Sequence, residues 1–168
     1  YITDAGMNIA PDAEAKRDIL NNAITFCHAM GLTEPKIAVV CAKEKVDPNM
    51  PSTLDAERLV AWNAEGSIPG AIVEGPFGMD NAINADAAAL KGLSGAVAGQ
   101  ADLLLMPNLD AGNILTKTLT YFAEADSAGL IVGARRPIVL MSRADQARVK
   151  VNSIALAVLA VRNEVSHV

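Results

Sequence analysis

Apolar and polar positions alternate along this chain with two different periods. Short runs dense in Val, Ile and Leu are separated by longer stretches in which apolar residues recur every three or four positions. Asp12 stands where a helix N-cap belongs. Ile19, Leu20, Ala23, Ile24, Cys27 and Met30 then form an inward stripe that Gly31 ends. Residues 36–42, KIAVVCA, read as a strand with apolar side chains on both faces, as a strand covered by helices requires. Ser52 or Thr53 opens the next helix, with Asp55 in its first turn; Leu54, Leu59 and Trp62 give it an apolar surface and Gly66 stops it. Residues 70–76 form a strand running into a Gly/Pro turn, and residues 80–90 hold a third helix. KGLSGAVAG, residues 91–99, is too glycine-rich for either element and reads as a flexible or ligand-facing loop.

The second half repeats the pattern. Residues 102–107 are a buried strand ending at Pro107, and NLDAGNILTKTLTYFA reads as a helix entered through a tight turn. Residues 129–134 and 136–142 supply two more strand-like segments, before a last helix from about Asp145 to Arg162. Its Val149, Ile154, Leu156, Val158, Leu159 and Val161 cover much of its circumference, which places it inside a layered domain or at an interface. Repeated strand–helix alternation predicts a three-layer α/β sandwich with a mainly parallel sheet. Right-handed crossovers then gather the strand ends and the loops after them at one edge. No internal repeat, low-complexity linker or clean domain boundary is visible.

Composition narrows the function. With 168 residues, 51% hydrophobic and a mean hydropathy of +0.26, the chain can build one substantial core or two small lobes. Nineteen acidic against fourteen basic residues leave a net charge of −5, and one Trp, two Tyr and three Phe offer few stacking platforms. Nucleic acid is therefore a disfavoured partner. The longest strongly apolar run, residues 154–161, is far short of the roughly twenty residues that a membrane helix needs. The first residues lack the basic start and apolar stretch of a signal peptide, so a cytoplasmic location is expected. Tyr at position 1 instead of Met marks an excerpt or a processed chain. Cys27 and Cys41 lie in apolar patterns and read as a buried, reduced pair. His28 and His167 lack an acidic neighbourhood, and no GxSxG, Walker, GxGxxG or HExxH motif occurs, so no metal site is expected.

Four segments place polar or turn residues just beyond apolar elements: VDPNMPSTLD, EGPFGMDN, MPNLDAGN and ARRPIVLMSRAD. In the third, Asn108, Asp110 and Asn113 surround a helix start and Gly112 permits close approach of a ligand. Either the helix amides bind phosphate there, or Asn108 or Asp110 simply caps the helix. In the fourth, Ser142 offers a hydroxyl to a developing oxyanion or leaving thiolate, and Arg143 offers paired donors to a phosphate or carboxylate. Asp145 has three possible tasks: orienting Arg143 as an ion-pair partner, capping the last helix, or acting as a base. Arg135 and Arg136 add charge to the preceding turn or are simply solvated.

PNMPSTLDA at 48–56, EGPFGMDNA at 74–82, ADLLLMPNLDAGN at 101–113 and GARRPIVLMSRAD at 133–145 occur in this order over most of the chain. Together they resemble the phosphate acetyltransferase/phosphate butyryltransferase family, nearest its butyryltransferase-like branch, which includes forms attached to an enoyl-CoA hydratase domain. The resemblance implies an isocitrate/isopropylmalate-dehydrogenase-like fold and reversible transfer of a short acyl group between coenzyme A and inorganic phosphate. It further implies coenzyme A or acyl-CoA as substrate with no tightly bound cofactor, and a homodimer or higher homo-oligomer. Residues 1–168 would then be a partial acyltransferase region: a second lobe plus returning C-terminal elements of the first. By the same resemblance Ser142 stabilises the reacting thiol or carbonyl, Arg143 holds phosphate, and Asp110, Gly112 and Asn113 belong to the ligand cleft. The family's acetyltransferases carry an acidic base seven residues after this serine, where this chain has Val149; Asp145 is the nearby carboxylate. That departure keeps a second reading open, a non-catalytic regulatory module that binds CoA or acyl phosphate.

Overall fold

A computed structural model describes residues 1–165; His167 lies outside the described residues. Four strands, β1 (Ile2–Thr3), β2 (Lys36–Val40), β3 (Ile72–Phe77) and β4 (Leu103–Leu105), form one parallel sheet in the order β1-β4-β2-β3. Parallel neighbours need crossovers, and these are supplied by helices α1 (Ala13–Ala29), α2 (Pro51–Ala64), α3 (Met79–Ile83) and α4 (Ala85–Leu90). Two further helices, α5 (Leu109–Phe122) and α6 (Ala147–Val165), follow the last strand.

Alternation along the strands divides the core. Ile37, Val39, Val73, Leu103 and Leu105 point to one face, where Leu20, Ala23, Ile24 and Cys27 of α1 and Ala56 and Leu59 of α2 cover them. Ala38, Val40, Phe77, Leu104 and Met106 point to the other, against Ala82 of α3, Ala88 of α4, and Ala111 and Leu115 of α5. The α/β architecture with a mainly parallel sheet is thus as the alternation predicts, with helices on both faces. Cys27 and Cys41 are both buried and unbridged. Burial pushes the Cys27 thiol up to about 11, so it stays protonated at neutral pH.

Several local expectations are corrected. Neither Ser52 nor Thr53 caps α2: the helix begins at Pro51, whose fixed φ suits a first helical position, after Met50. The Thr53 hydroxyl is turned back into the preceding loop, accepting from the Asp47 N–H at 2.9 Å and donating to the Met50 carbonyl at 2.8 Å. With the helix starting at Pro51, Asp55 falls beyond the first turn, and it pairs with the buried Lys16 of α1 at 2.5 Å. Residues 80–90 are two helices, because Asn84 is extended and its side chain caps α4 by accepting from the Ala87 N–H. Residues 129–134 and 136–142 form no strands of the sheet; one antiparallel bridge, Ile131 with Ile138, is their whole pairing. β1 has no counterpart in the sequence reading, since two residues carry no periodicity.

Candidate functional site

Because every strand of the sheet is parallel, the loops after β1, β2, β3 and β4 leave from one edge. Three of the four polar segments, those following β2, β3 and β4, are therefore brought together. The fourth follows no strand of the described sheet and is not among the segments that this edge gathers. Ala160 shares a small cavity with Asn22, Thr25 and Phe26, and Asn163 donates to the Ala29 carbonyl at 2.7 Å, so α6 runs in the direction of α1. The first half of α6 is tied to the segment after α5: Arg148 pairs with Asp126, and the Gly129 N–H donates to the Ser153 hydroxyl oxygen at 3.0 Å.

At β4, Asn108 caps α5 by accepting from the Ala111 N–H at 2.9 Å. The Leu109 N–H donates to the Ile9 carbonyl at 3.1 Å and the Gly112 N–H to the Asn108 carbonyl at 3.2 Å. The amides that the sequence offered to phosphate are thus largely occupied. Gly112 is buried for a packing reason: a Cβ there would collide with the Asp4 carbonyl oxygen. Asn113 donates to the Ala5 carbonyl at 3.3 Å, and Asp110 stays exposed at the rim.

These contacts fasten a strap, residues 4–10, that the sequence reading passed over. Asp4 is its knot. Its carboxylate accepts from the N–H groups of Gly6, Met7 and Asn8 at 2.7, 2.9 and 2.8 Å and from the Asn8 side chain at 2.6 Å. Partial burial pushes the carboxyl upward, but these hydrogen bonds outweigh it and hold it below the ordinary carboxylate range. The only sequence signal was an acidic residue followed by Gly and Asn, a turn signature.

Beyond β2 and β3, Glu44 accepts from Asn81 at 2.6 Å and from Lys91 at 2.7 Å, and Lys91 also reaches Asp80 at 3.2 Å. The Lys91 hydrogen bond is the main cause holding Glu44 below its usual range. Asn81 is fully buried with its Oδ1 unpartnered. The glycine-rich stretch 91–99 is pinned to β3: the Glu74 carboxylate accepts from the Ala96 and Val97 N–H groups at 3.0 and 3.1 Å. Gly95 is required there, at φ +145° and with a Cβ that would strike that carboxylate.

At the fourth segment, Asp145 does not pair with Arg143. Its Oδ2 accepts from the Ser142 N–H at 2.7 Å, while the Ser142 hydroxyl oxygen accepts from the Ala144 N–H at 3.3 Å. Arg143 is exposed and, among the described residues, its guanidinium has no hydrogen-bond or ion-pair partner. Among the described residues no group of three or more His, Cys, Asp or Glu could hold a metal ion, and no helix is long and apolar enough to cross a membrane.

The family described as phosphate acetyl/butaryl transferase matches residues 1–158. A phosphate butyryltransferase of Clostridium acetobutylicum is 46% identical over 164 residues, 98% of this chain and 54% of that protein. A phosphate acetyltransferase of Rhizobium meliloti is 50% identical over 159 residues, 95% of this chain and 50% of that protein. Among solved structures, a branched-chain phosphotransacylase from Enterococcus faecalis superposes with a TM-score of 0.89 at 39% identity, over 95% of this chain and 57% of that one. The chain thus spans about half the length of these relatives.

Proposed function

Since the chain belongs to the phosphate acetyl/butaryl transferase family, we propose that the protein carrying it transfers a short acyl group reversibly between coenzyme A and inorganic phosphate. Toward acyl-CoA, the CoA thiolate attacks the carbonyl carbon of the acyl phosphate, the C–S bond forms, the bond between that carbon and the bridging oxygen breaks, and phosphate departs with that oxygen. The observation that carries this reading is the pair just after residues 136–141: an Arg143 guanidinium that is exposed and has no partner among the described residues, beside a Ser142 hydroxyl. Arg143 holds the phosphate through its planar fork. The Ser142 oxygen accepts from Ala144 N–H, which leaves the hydroxyl proton to be donated to the carbonyl oxygen or the thiolate. Asp145 fixes the backbone of Ser142 and is a positioning residue. Asp110, Gly112 and Asn113 form the β4–α5 rim of the cleft, Gly112 and Asn113 by fastening the strap and Asp110 by facing solvent.

In this reading, residues 1–128 make one lobe of an isocitrate/isopropylmalate-dehydrogenase-like fold, and residues 129–165 complete a second lobe built mostly from a part that this chain does not span. The isolated bridge at Ile131 and the exposed Ile138 and Leu140 support that division. Exposed Val151, Ile154, Val158 and Leu159 on α6 fit an interface, and the assembly proposed is a homodimer or higher homo-oligomer. Sedimentation of the parent protein at several concentrations tests the assembly; a persistent monomer overturns it.

The function is tested by thiol release from acyl-CoA on adding phosphate, with the parent protein and with this chain alone. Phosphate-dependent release by the parent supports the proposal. Val149, at the family's acidic position, favours the second reading, a regulatory module. CoA binding by the parent without acyl exchange at any chain length would establish that reading and overturn the first.

A further inference from the structure

Asn22, Thr25 and Phe26 stand at i, i+3 and i+4 on α1 and therefore share one face of it. They line one side of a cavity of about 170 Å³, whose other side is the turn at residues 132–137 together with Ala160 of α6. One water needs about 10–15 Å³ of such space, so there is room for roughly ten heavy atoms, the size of a bicyclic base.

The lining is of two kinds. Phe26 and Pro137 are flat and apolar, and the Tyr1 ring, perpendicular to that of Phe26 at 5.5 Å between centroids, braces it. The polar edge is Asn22, whose amide has no partner among the described residues. Beside it the Thr25 hydroxyl donates to the Asn21 carbonyl at 3.0 Å and keeps its oxygen as an acceptor. Gly133 keeps this edge open: its φ is +94°, and a Cβ there would stand 2.6 Å from the Asn22 Nδ2. A free amide offers a donor and an acceptor side by side, which match a ring nitrogen and the exocyclic amino group of adenine. A flat apolar wall takes the face of the same base. Arg135, exposed and without a partner among the described residues, stands at the rim, in the turn between Ala134 and Pro137 of the lining.

We propose that this cavity is an adenine site, in which Asn22 reads the edge of the base, Phe26 and Pro137 take its face, and Arg135 meets an attached phosphate. The base comes from coenzyme A, an arm of the inference that rests on the acyltransfer reading, or from a free adenine nucleotide. Pro137 and Ser142 are five residues apart, at most about 18 Å of extended chain, which the pantetheine arm of coenzyme A spans. Titration calorimetry of the parent protein with adenosine, inosine and AMP tests the site. Adenosine should bind at least about fivefold tighter than inosine, which lacks the amino donor. Asn22→Ala, at an exposed helical position where alanine is well tolerated, should abolish that preference. Arg135→Gln should weaken AMP a few-fold, the worth of an exposed ion pair, and leave adenosine unchanged. Acetyl-CoA and acetyl-pantetheine separate the two sources. For the base of coenzyme A, Asn22→Ala raises the acetyl-CoA KM at least about fivefold and leaves that of acetyl-pantetheine alone. For a free nucleotide, both KM values stay parental while AMP binding weakens. The absence of saturable adenosine and AMP binding overturns the inference. So do equal affinities for adenosine and inosine, or equal adenosine binding by the parent and a folded Asn22→Ala protein. A parent with no acyl transfer would sink the functional reading instead, and the calorimetry would still decide the site.

Discussion

The Asp145 carboxylate reaches back three residues to accept a hydrogen bond from the Ser142 N–H at 2.7 Å, and so fixes the turn that carries the exposed Arg143. Asparagine at 145 keeps an acceptor oxygen but takes no proton. Asp145→Asn should therefore retain acyl transfer within a few-fold, with an unchanged pH–rate profile. Asp145→Ala loses the acceptor, costs about 1 kcal/mol as a lost cap does, and should slow turnover more than Asn does. A folded Asp145→Asn protein with no turnover would make Asp145 the base.

Arg143→Lys keeps the charge and discards the planar fork. In the parent protein it should raise the phosphate KM at least about tenfold, the effect of losing one charge-assisted hydrogen bond. Arg162→Lys, late in α6, should change little. Initial rates over phosphate and acyl-CoA concentrations, with circular dichroism to confirm folding, decide the matter. Near-parental phosphate dependence in Arg143→Lys would remove the phosphate assignment.

Asp4 makes the strap pH-sensitive in one direction. Its carboxyl is held below its ordinary value, so ionised Asp4 stabilises the fold fully above about pH 4, the unfolded value. That contribution is lost as pH falls through the lower, folded value. Asp4→Ala should thus melt earlier than the parent at pH 7, and the difference should shrink steadily below pH about 4. A difference that is the same at pH 7 and at pH 3 would show that the four hydrogen bonds do not act through the charge.

The sequence made the long, strongly patterned elements plain. Asp12 caps α1 through the Ala15 N–H, Gly31 follows its end at φ +89°, β2 and β4 fall within the expected segments, and β3 overruns its own by one residue, Phe77. What escaped it has identifiable causes. Two-residue β1 exists through its pairing with Leu104 and Leu105, a partner 102 positions away that no local pattern announces. The strand character of residues 129–142 is real in composition, but the segment pairs with neither edge strand of the described sheet, β1 or β3, and only bridges to itself at Ile131 and Ile138. At the site, the residue types around Ser142 and Asp110 were legible. The direction of each hydrogen bond was not, because capping, ion pairing and base catalysis ask for the same residue types at Asp145.

Glu74 sits in mid-strand yet acts on a loop. Glu74→Ala strands the Ala96 and Val97 amides, of which Val97 is fully buried, and should cost about 2 kcal/mol of stability. Glu74→Gln keeps one acceptor oxygen and should recover part of that loss. Denaturant midpoints at constant slope measure both. Equal stability of Glu74→Ala and the parent would mean that water replaces the carboxylate.

Lys16 is 3% exposed, and its partner Asp55 is 22% exposed, at the α1–α2 contact that Arg17 and Arg58 flank by stacking on Trp62. Breaking such a pair from one side leaves a charge without compensation. Asp55→Ala strands the buried ammonium, and about 3 kcal/mol of stability should be lost. Lys16→Met should cost less, since Asp55 retains some contact with water. The double change Lys16→Met with Asp55→Leu removes both charges and keeps apolar volume, so it should return to within about 1 kcal/mol of the parent. A double-mutant cycle on urea midpoints reads the coupling directly. Additive losses in the cycle would show that packing by the Lys16 stem holds α1 to α2, and that the ion pair contributes nothing of its own.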